Sequence, residues 1–273
     1  MVKVAFQGER GAFSEDAATK LFGEEIDFLP CIQLRDVFRA VSQDRVRFGV
    51  VPLENSQAGS INETYDLLLT YPLNIFAEVI LKVSHYLMAL SGQNLDHINT
   101  IYSHPQALAQ CDEFLSSVKV DIVPSYDTAG SAKMIAEKQL KNCAAIASKR
   151  AAELYGLEIL ASAIETSANN YTRFVAVSKE KARQAEKNKT SLVFAAEHKP
   201  GSLYKILGVF ATRNINLTKL ESRPNRTKPW EYVFYADFEG HLDGGVYQEA
   251  IKELQREATF VKILGSYPQA TES

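Results

Sequence analysis

The chain has 273 residues, which is enough for two or three folded domains at about 150 residues each. Hydrophobic residues make up 46% of the sequence and charged residues 23%, a balance that excludes disordered and fibrous proteins. The formal net charge of −3 provides no basic surface, so nucleic acid is not expected as a partner.

The first residues enter a strand pattern directly and lack the regions that define a signal peptide. The longest apolar stretch, residues 73–90, contains Glu78, Lys82 and His85 and therefore does not predict a membrane span. The three cysteines are far apart and have no paired spacing, which favours reduced thiols over a disulfide framework or a zinc site. We therefore expect a cytoplasmic protein that does not associate with membranes.

Strand and helix patterns alternate from the start of the chain. Residues 2–7 alternate in polarity as a half-buried strand does. The turn between Gly8 and Gly11 then leads to a predicted helix with Ser14 as its N-cap. The spacing of apolar residues in 34–41 predicts a second helix.

The alternation continues through residue 163. The apolar run 48–53 predicts a buried strand, and the capping-box spacing of residues 60–63 predicts a helix that opens at Ser60. Further strands are predicted at residues 75–81, 100–103, 121–124, 144–147 and 159–163. Because helical segments lie between most of these strands, the pattern predicts parallel sheets in an α/β fold.

A charged segment, residues 179–189, is predicted to be a linker or a solvated helix end, and the pattern changes after it. Strands are predicted at residues 191–196, 217–223, 232–239 and 261–267, and helices at 200–213 and 246–257. The order strand, helix, strand, strand, helix, strand is that of a ferredoxin-like α+β domain.

Polar residues follow four predicted strands of the first half, at the sheet edges where ligands bind in open α/β folds. These residues are Glu54, Asn55 and Ser56; His104, Pro105 and Gln106; Ser125 and Thr128; and Asn169, Asn170, Thr172 and Arg173. Their hydroxyls, amides and free helix N–H groups suit a small anionic ligand. Ordinary caps and turns use the same residue types, so both interpretations stay open on the residues alone.

Other familiar chemistries lack their motifs in this sequence. The segment between Gly8 and Gly11 has neither the third glycine of a dinucleotide fingerprint nor the lysine of a P-loop. The five histidines are not spaced as metal ligands, and no serine lies in a nucleophile elbow. We therefore expect neither a metal nor a nucleotide cofactor, and no covalent nucleophile.

Four segments together resemble the prephenate dehydratase family and its attached ACT regulatory domain. Residues 170–174, Asn-Tyr-Thr-Arg-Phe, resemble the Thr-Arg-Phe signature of the family. Residues 51–56 and 59–62 are similar to its early Glu-Asn motif. Residues 216–224 are similar to the Glu-Ser-Arg-Pro motif of the ACT domain, and residues 199–203 to its glycine loop, where Ser202 replaces the usual alanine.

The resemblance implies a fold and a domain plan. It implies an α/β catalytic domain, residues 1–180, with two lobes like those of type II periplasmic binding proteins (1–76 with 161–180, and 77–160). It also implies a ferredoxin-like ACT domain at residues 190–268 and a homodimer or homotetramer in which ACT domains pair.

The implied activity is the decarboxylating dehydration of prephenate to phenylpyruvate, without a cofactor and under feedback control by L-phenylalanine. One alternative is arogenate dehydratase activity, which gives phenylalanine directly. A rival from another class is a non-catalytic sensor of small anions on the same lobes. The sequence does not choose between prephenate and arogenate, which differ only in the side arm.

The resemblance also implies residue roles. Thr172 is expected to donate a hydrogen bond to the departing hydroxyl, and Glu54 to orient neighbouring groups. Arg173 is expected either to bind the pyruvyl carboxylate or to be structural, since in a regular strand it points away from Thr172 and Phe174. The predicted catalytic residues are Thr172, Arg173, Glu54, Asn55 and Ser56, and the predicted substrate-binding residues are Phe174, Asn62, Gln106, Thr128 and Asn170. The predicted phenylalanine-binding residues are Gly201, Ser202, Leu203, Asn216, Leu217, Glu221, Ser222, Arg223 and Pro224.

Overall fold

A computed structural model describes residues 2–224 and 231–270, and contacts divide the chain into two units. The first unit comprises residues 1–64 and 79–174, and the second comprises residues 65–78 and 175–272. Residues 225–230 of the predicted ACT domain lie outside the described residues. The predicted domain limits stay a prediction.

The elements before the predicted linker alternate as expected from the sequence. They are β1 (Val2–Gln7), α1 (Phe13–Phe22), β2 (Ile26–Cys31), α2 (Leu34–Ser42), β3 (Phe48–Asn55), β4 (Gly59–Ser60), α3 (Asn62–Thr70), β5 (Asn74–Lys82), β6 (Tyr86–Ala89), β7 (Thr100–Ser103), α4 (Pro105–Gln110), α5 (Asp112–Ser117), β8 (Asp121–Pro124), α6 (Thr128–Lys138), β9 (Cys143–Ala147), α7 (Lys149–Tyr155), β10 (Glu158–Ser162) and β11 (Tyr171–Ser178).

These strands form two sheets, one in each of two lobes. The first has the order β2-β1-β3-β11-β5, with β4 paired to β3, and the second has the order β10-β6-β9-β7-β8. β1 runs parallel to β2 and β3, and β7 runs parallel to β8 and β9. β6, however, runs antiparallel to β9 and β10, and β4 runs antiparallel to β3, so the expectation of parallel sheets is met only in part.

The physical reason lies in how β6 enters its sheet. β6 comes directly from β5 of the first sheet, across residues 83–85 and without a helix, and neither of its own neighbours, β9 and β10, is joined to it by a strand-helix-strand crossover that would make the pair parallel. In the sequence both strands fall within one apolar stretch, residues 73–90, and β6 was not predicted as a separate strand. Strand direction cannot be read from alternation alone.

Two predicted helix caps are also corrected by the structure. Ser14 lies inside α1, and Ala12 is the N-cap residue with extended backbone angles. Ser60 lies in β4, opposite Glu54 of β3, and α3 begins two residues later at Asn62. The positive φ of 77° at Gly59 permits the tight return from β3 into β4, and this pairing replaces the predicted capping box.

The remaining strands and helices form the fold that the sequence predicts. They are β12 (Asn188–Ala195), α8 (Ser202–Ala211), β13 (Leu217–Pro224), β14 (Tyr232–Glu239), α9 (Gly245–Glu257) and β15 (Phe260–Pro268). Their sheet has the order β13-β14-β12-β15, and its neighbours pair antiparallel. Leu192, Phe194, Phe210 and Phe238 belong to the core between this sheet and the two helices. The predicted fold class is confirmed: an α/β part with two sheet-bearing lobes, followed by a ferredoxin-like α+β domain.

The end of the predicted linker is more buried than its charge suggests. Lys189 lies in β12 rather than in a solvated segment, and its Nζ is 2.8 Å from Oε1 of the fully buried Glu78.

Within the described residues, no helix combines the length and apolar character needed to cross a membrane.

Lys262 of β15 caps the carboxyl end of α3. Its Nζ donates to the carbonyl oxygens of Leu68 at 2.8 Å, Leu69 at 2.9 Å and Tyr71 at 3.2 Å. Carbonyls in the last turn of a helix have no partner within the helix, so a cation there satisfies them and complements the helix dipole. Burial lowers the pKa of Lys262.

We expect Lys262→Met to lower the free energy of unfolding by about 1–3 kcal/mol, because it leaves three part-buried carbonyls without this donor. Lys252→Met, at an exposed position of α9, is the matched control and should change stability by less than about 0.5 kcal/mol. Denaturant unfolding of both variants measures the difference, and equal effects would contradict the capping role.

Candidate active site

A cavity of about 170 Å³ opens in the first unit, where the ends of β1 and β3 and the start of β11 meet the starts of α1, α4 and α6. Five of the predicted site residues line it: Asn55, Thr172, Phe174, Gln106 and Thr128. They come from β3, β11, α4 and α6, and the sheet edges predicted from the sequence therefore do converge on one cavity.

The side-chain amide of Asn55, at the end of β3, has a fixed orientation. Its Oδ1 accepts hydrogen bonds from the backbone N–H groups of Gln57 at 3.0 Å and Ala58 at 2.9 Å. Nδ2 must therefore point the other way, where it donates toward three acceptors: Asn170 Oδ1 at 2.8 Å, Thr172 Oγ1 at 2.9 Å and the carbonyl oxygen of Tyr171 at 3.1 Å. Asn55 is thus a donor toward Thr172 and never an acceptor from it.

Thr172 consequently keeps its own hydrogen for another partner. Its side chain is buried, and Oγ1 already receives the N–H of Asn55. Within residues 2–224 and 231–270, no group accepts a hydrogen bond from this hydroxyl. The cavity wall therefore holds a positioned O–H donor.

The amino end of α1 supplies further donors. Phe13 and Ser14 line the cavity, and their backbone N–H groups precede the first helical bond, which Glu15 donates to Ala12 at 2.9 Å. Ser14 is 4% exposed, and its hydroxyl makes no hydrogen bond within the described part of the chain. A helix start with a free hydroxyl suits a carboxylate ligand.

The cavity lining contains one carboxylate and, among the described residues, no lysine or arginine. The carboxylate is Asp127, the N-cap of α6; burial raises its pKa, and backbone N–H groups of Glu9, Gly130 and Ala129 oppose the rise. Burial lowers the pKa of His104, and Asp127 opposes this. An anion bound here would therefore be recognised by N–H groups, hydroxyls and amides rather than by a fixed cation.

Arg173 and Glu54 are predicted catalytic residues that do not line the cavity. Arg173 Nη1 lies 3.7 Å from Glu54 Oε2, and the Arg173 side chain is only 10% exposed. The alternation expected for a strand therefore holds: Thr172 and Phe174 face the cavity while Arg173 does not.

The other predicted residues lie around the cavity rather than on its wall. Ser56 ties the end of β3 to the start of β11, since its Oγ donates to Asn169 O and accepts from Tyr171 N, both at 2.9 Å. Asn62 is exposed at the start of α3. Asn170 is fully buried behind Asn55.

Several cavity residues were missed as site residues: Asp127, Ser14, His85 and Gln110. Asp127 directly precedes a predicted helix start, which is a capping signal, and the sequence gives Ser14 only a capping role. His85 interrupts an apolar run in the sequence, and nothing local distinguishes Gln110. Among the described residues, no group of three or more His, Cys, Asp or Glu side chains could hold a metal ion.

His85 makes stability depend on pH. Burial lowers its pKa, and its hydrogen bond with Gln110 and the nearby charge of Glu165 oppose the shift. In the unfolded chain its pKa is about 6.5, so below that pH the unfolded state binds more protons and the folded state loses stability. We expect the melting temperature to fall less in His85→Asn than in the wild type between about pH 7.5 and about pH 5.5. Equal slopes in the two proteins would contradict a buried neutral histidine.

The predicted phenylalanine-binding residues do not line one common groove in the described chain. Gly201, with a φ of 84°, is the N-cap of α8, and Leu203 lines a groove of about 340 Å³. Asn216 and Leu217 line another groove, of about 430 Å³. The remaining residues are in or near these elements: Ser202 begins α8, and Glu221, Ser222, Arg223 and Pro224 end β13.

Family models match most of the chain. Residues 4–182 match the prephenate dehydratase model, and residues 190–256 match the ACT domain model. The chain belongs to the prephenate dehydratase family. Family members are decarboxylating lyases, and the second matched model is that of their ACT regulatory domain.

Comparisons with individual proteins support this family assignment. The chain is 44% identical, over 99% of its length and 74% of the relative's, to arogenate dehydratase/prephenate dehydratase 2 of Arabidopsis thaliana. A prephenate dehydratase of Arthrobacter aurescens, solved in complex with L-Phe, superposes with a TM-score of 0.89 at 31% identity, over 98% of this chain and 90% of that one. A structure described as GqqA, a quorum quenching acylase, superposes at 0.87 with 35% identity, over 98% of each chain.

Proposed function

We propose that this chain catalyses the decarboxylating dehydration of prephenate to phenylpyruvate in the cavity that Thr172 lines. The observation that carries the proposal is the Thr172 hydroxyl, which receives the N–H of Asn55 and keeps its own hydrogen for a ligand. This residue belongs to the Thr-Arg-Phe stretch within the matched dehydratase segment.

The substrate's chemistry explains why such a donor is needed. When the ring carboxylate leaves as carbon dioxide, its bonding electrons enter the ring, the ring becomes aromatic, and the C–O bond to the ring hydroxyl breaks. The departing oxygen takes up a proton from solvent and leaves as water. Hydroxide is a poor leaving group, because the pKa of water is about 15.7. Thr172 donates a hydrogen bond to this oxygen, and the N–H that Asn55 directs at Oγ1 makes the hydroxyl a stronger donor.

Charge placement fits the same reaction. A cation on the ring carboxylate would stabilise the ground state and slow the loss of carbon dioxide, since only differential stabilisation accelerates a reaction. The described lining contains no lysine or arginine, and the Ser14 hydroxyl and helix start of α1 offer neutral donors for a carboxylate. In this proposal Arg173 is a positioning residue, which holds Glu54 at the edge of β3 and β11.

Arogenate is the second candidate substrate, because the Arabidopsis relative at 44% identity is named for both activities. The experiment is to measure kcat/KM for prephenate and arogenate with one enzyme preparation. A higher value for prephenate supports the proposal, and a higher value for arogenate makes the chain an arogenate dehydratase. Turnover of neither substrate would refute dehydratase function.

We do not propose acylase activity, although one similar structure is described as an acylase. A serine nucleophile needs a base within hydrogen-bond reach. Within residues 2–224 and 231–270, Ser14 makes no hydrogen bond to His85, His104 or Asp127.

We also propose that the ACT domain binds L-phenylalanine and that the protein works as a homodimer or homotetramer in the cytoplasm. The similar Arthrobacter enzyme was solved with L-Phe, and α8 begins after Gly201 without a side-chain cap, so the N–H groups of Leu203 and Tyr204 in its first turn can meet a carboxylate, whereas that of Ser202 donates to Lys199 O. Inhibition would then be a coupling between sites, typically about 5- to 150-fold in affinity and equal in both directions.

We expect calorimetry on the intact protein to detect L-phenylalanine binding, and prephenate to weaken that binding by the same factor by which phenylalanine weakens prephenate binding. Unequal factors would contradict a coupling between two separate sites. D-phenylalanine is the control ligand, and sedimentation of the same sample gives the oligomeric state. No heat from millimolar L-phenylalanine would refute the sensor.

A further inference from the structure

Residues 8–11, which join β1 to α1 in the first lobe, make contacts with the second lobe. The backbone N–H of Glu9 donates to Asp127 Oδ2 at 3.0 Å. The Glu9 carboxylate accepts from the Tyr126 hydroxyl at 3.2 Å, and its Oε2 lies 3.0 Å from Lys133 Nζ. These three partners lie before or within α6, which packs on β7 and β9 of the second sheet. A single residue of the first lobe therefore meets three residues of the second.

The start of α7 provides a second point of contact between the lobes. Ser148, the N-cap of α7, donates from its Oγ to the carbonyl oxygen of Gly11 at 2.6 Å. Arg150 Nη2 lies 3.1 Å from Oε1 of Glu15, a fully buried carboxylate in the first turn of α1. Two helices of the second lobe thus bond to one short stretch of the first.

The two glycines of this segment allow the lobes to approach closely. Gly8 and Gly11 have positive φ values of 110° and 86°. A Cβ at Gly8 would lie 2.7 Å from Asp127 Oδ2, and a Cβ at Gly11 would lie 2.9 Å from the Cα of Ala151. Both obstacles belong to the second lobe. The glycine spacing seen in the sequence therefore serves the contact between lobes, where no side chain fits.

The cavity depends on this contact because both lobes form its wall. Asn55 and Thr172 come from the first lobe, and Gln106 and Asp127 come from the second. Between β1 and β11 the chain passes from one lobe to the other twice, at residues 83–85 and 163–170. Two short connections of this kind allow hinge motion, and a ligand held by both lobes exchanges when they part.

We propose that residues 8–11 form a clasp that holds the lobes together beside the cavity, and that substrate enters and product leaves when the contacts of Glu9 with Asp127 and Lys133 break. The inference rests on the proposed function for the identity of the ligands, whereas the clasp belongs to the fold. Because its contacts hold the lobes together with or without a ligand, weakening them speeds entry and release alike. The dissociation constant then stays unchanged.

The ion pair between Glu9 and Lys133 is the contact to weaken, since their side chains are only 17% and 34% exposed. We expect Glu9→Gln and Lys133→Met each to raise both the association and the dissociation rate constants of phenylpyruvate about three- to tenfold, as for loss of a part-buried ion pair. Stopped-flow mixing measures both constants. The single-turnover rate with prephenate should not change. The double variant should be no faster than the faster single variant, because both changes remove the same pair.

Lys149→Met is the matched control. It makes the same chemical change in α7, where Lys149 lies 3.7 Å from Glu153 and both side chains are exposed. This pair lies within one helix and does not join the lobes. We expect neither rate constant of phenylpyruvate to change in this variant.

Hydrogen exchange of the backbone amides tests the clasp without any ligand. The Glu9 N–H bonds to Asp127 of the second lobe, whereas the adjacent Gly8 N–H donates to the carbonyl oxygen of Cys31 within the first lobe, at 2.8 Å. Parting of the lobes exposes the first amide and leaves the second protected. We expect Lys133→Met to speed exchange of the Glu9 amide about three- to tenfold, measured by NMR, with Gly8 unchanged.

Two results would overturn the inference. Unchanged exchange at Glu9, or an equal rise at Gly8 and Glu9, would show that residues 8–11 do not part from the second lobe as a clasp. A faster dissociation of phenylpyruvate without a faster association would mean that these residues only shape the cavity wall. If Lys133→Met does not fold, Glu9→Gln carries the same expectations. A wild-type protein that turns over neither prephenate nor arogenate would refute the proposed function instead, and amide exchange would still decide on the clasp.

Discussion

Thr172→Val is expected to lower kcat about a hundred- to a thousandfold while KM and the melting temperature stay close to their wild-type values. Valine keeps the shape of threonine but removes the hydroxyl that faces the cavity, and with it the donor to the departing oxygen. That interaction strengthens as negative charge develops on the oxygen, so its loss appears in kcat rather than in KM. Steady-state kinetics with prephenate measures both constants.

Thr172→Ser is the matched control, because it keeps the hydroxyl within reach of Asn55 Nδ2. We expect it to retain a substantial part of wild-type turnover. A Val variant with more than half of the wild-type kcat would eliminate Thr172 as the donor. A Ser variant as inactive as Val would shift the role from the hydroxyl to the packing of the methyl group.

Asn55→Asp is expected to lower kcat about a hundredfold, although the aspartate itself has no contact with the departing oxygen in this account. One carboxylate oxygen can still accept from Gln57 and Ala58, but the other cannot donate to Thr172 Oγ1. The threonine hydrogen then turns toward the new carboxylate and is no longer available to the substrate. Kinetics of the variant, with thermal unfolding as a check of the fold, measures the effect.

Asn99→Asp makes the same chemical change at an exposed position before β7 and should leave kcat unchanged. The double variant of Asn55→Asp and Thr172→Val gives a sharper test. Because both changes remove one donor, the double variant should be no slower than the slower single variant. Fully multiplied losses would mean that Asn55 acts on the reaction independently of Thr172.

Much of the fold could be predicted from local pattern. The strands Thr100–Ser103, Asp121–Pro124 and Tyr232–Glu239 agree with the sequence prediction at both ends. Each is a short run of apolar or alternating residues bounded by polar residues, and strands are predicted well from that pattern. The ferredoxin-like order of the last domain followed from the same signal.

The candidate site was predicted in part. Thr172, Phe174 and Asn55 follow from strand ends and from the family resemblance, and all three line the cavity. The hydrogen bonds that orient them join residues far apart in sequence, such as Asn55 with Asn170 and His85 with Gln110. The local sequence pattern does not indicate which distant residues will pair, and for this reason His85 was missed as a site residue.

Long-range packing also explains what was missed outside the site. Residues 65–78 group with the second unit by their contacts. Lys189 falls in the predicted charged linker, yet it meets Glu78 of this segment, and Lys262 of β15 meets the α3 carbonyl of Leu68. Both contacts become visible only when the chain is folded.

The most direct test of the central claim is to supply the intact protein with prephenate labelled in the ring carboxylate, with a chelator present and no nucleotide added. The account predicts that labelled carbon dioxide and phenylpyruvate appear in equal amounts at a wild-type rate, and that Thr172→Val nearly abolishes both. Absence of either product with prephenate, and of phenylalanine with arogenate, would contradict the account and leave a sensor of small anions.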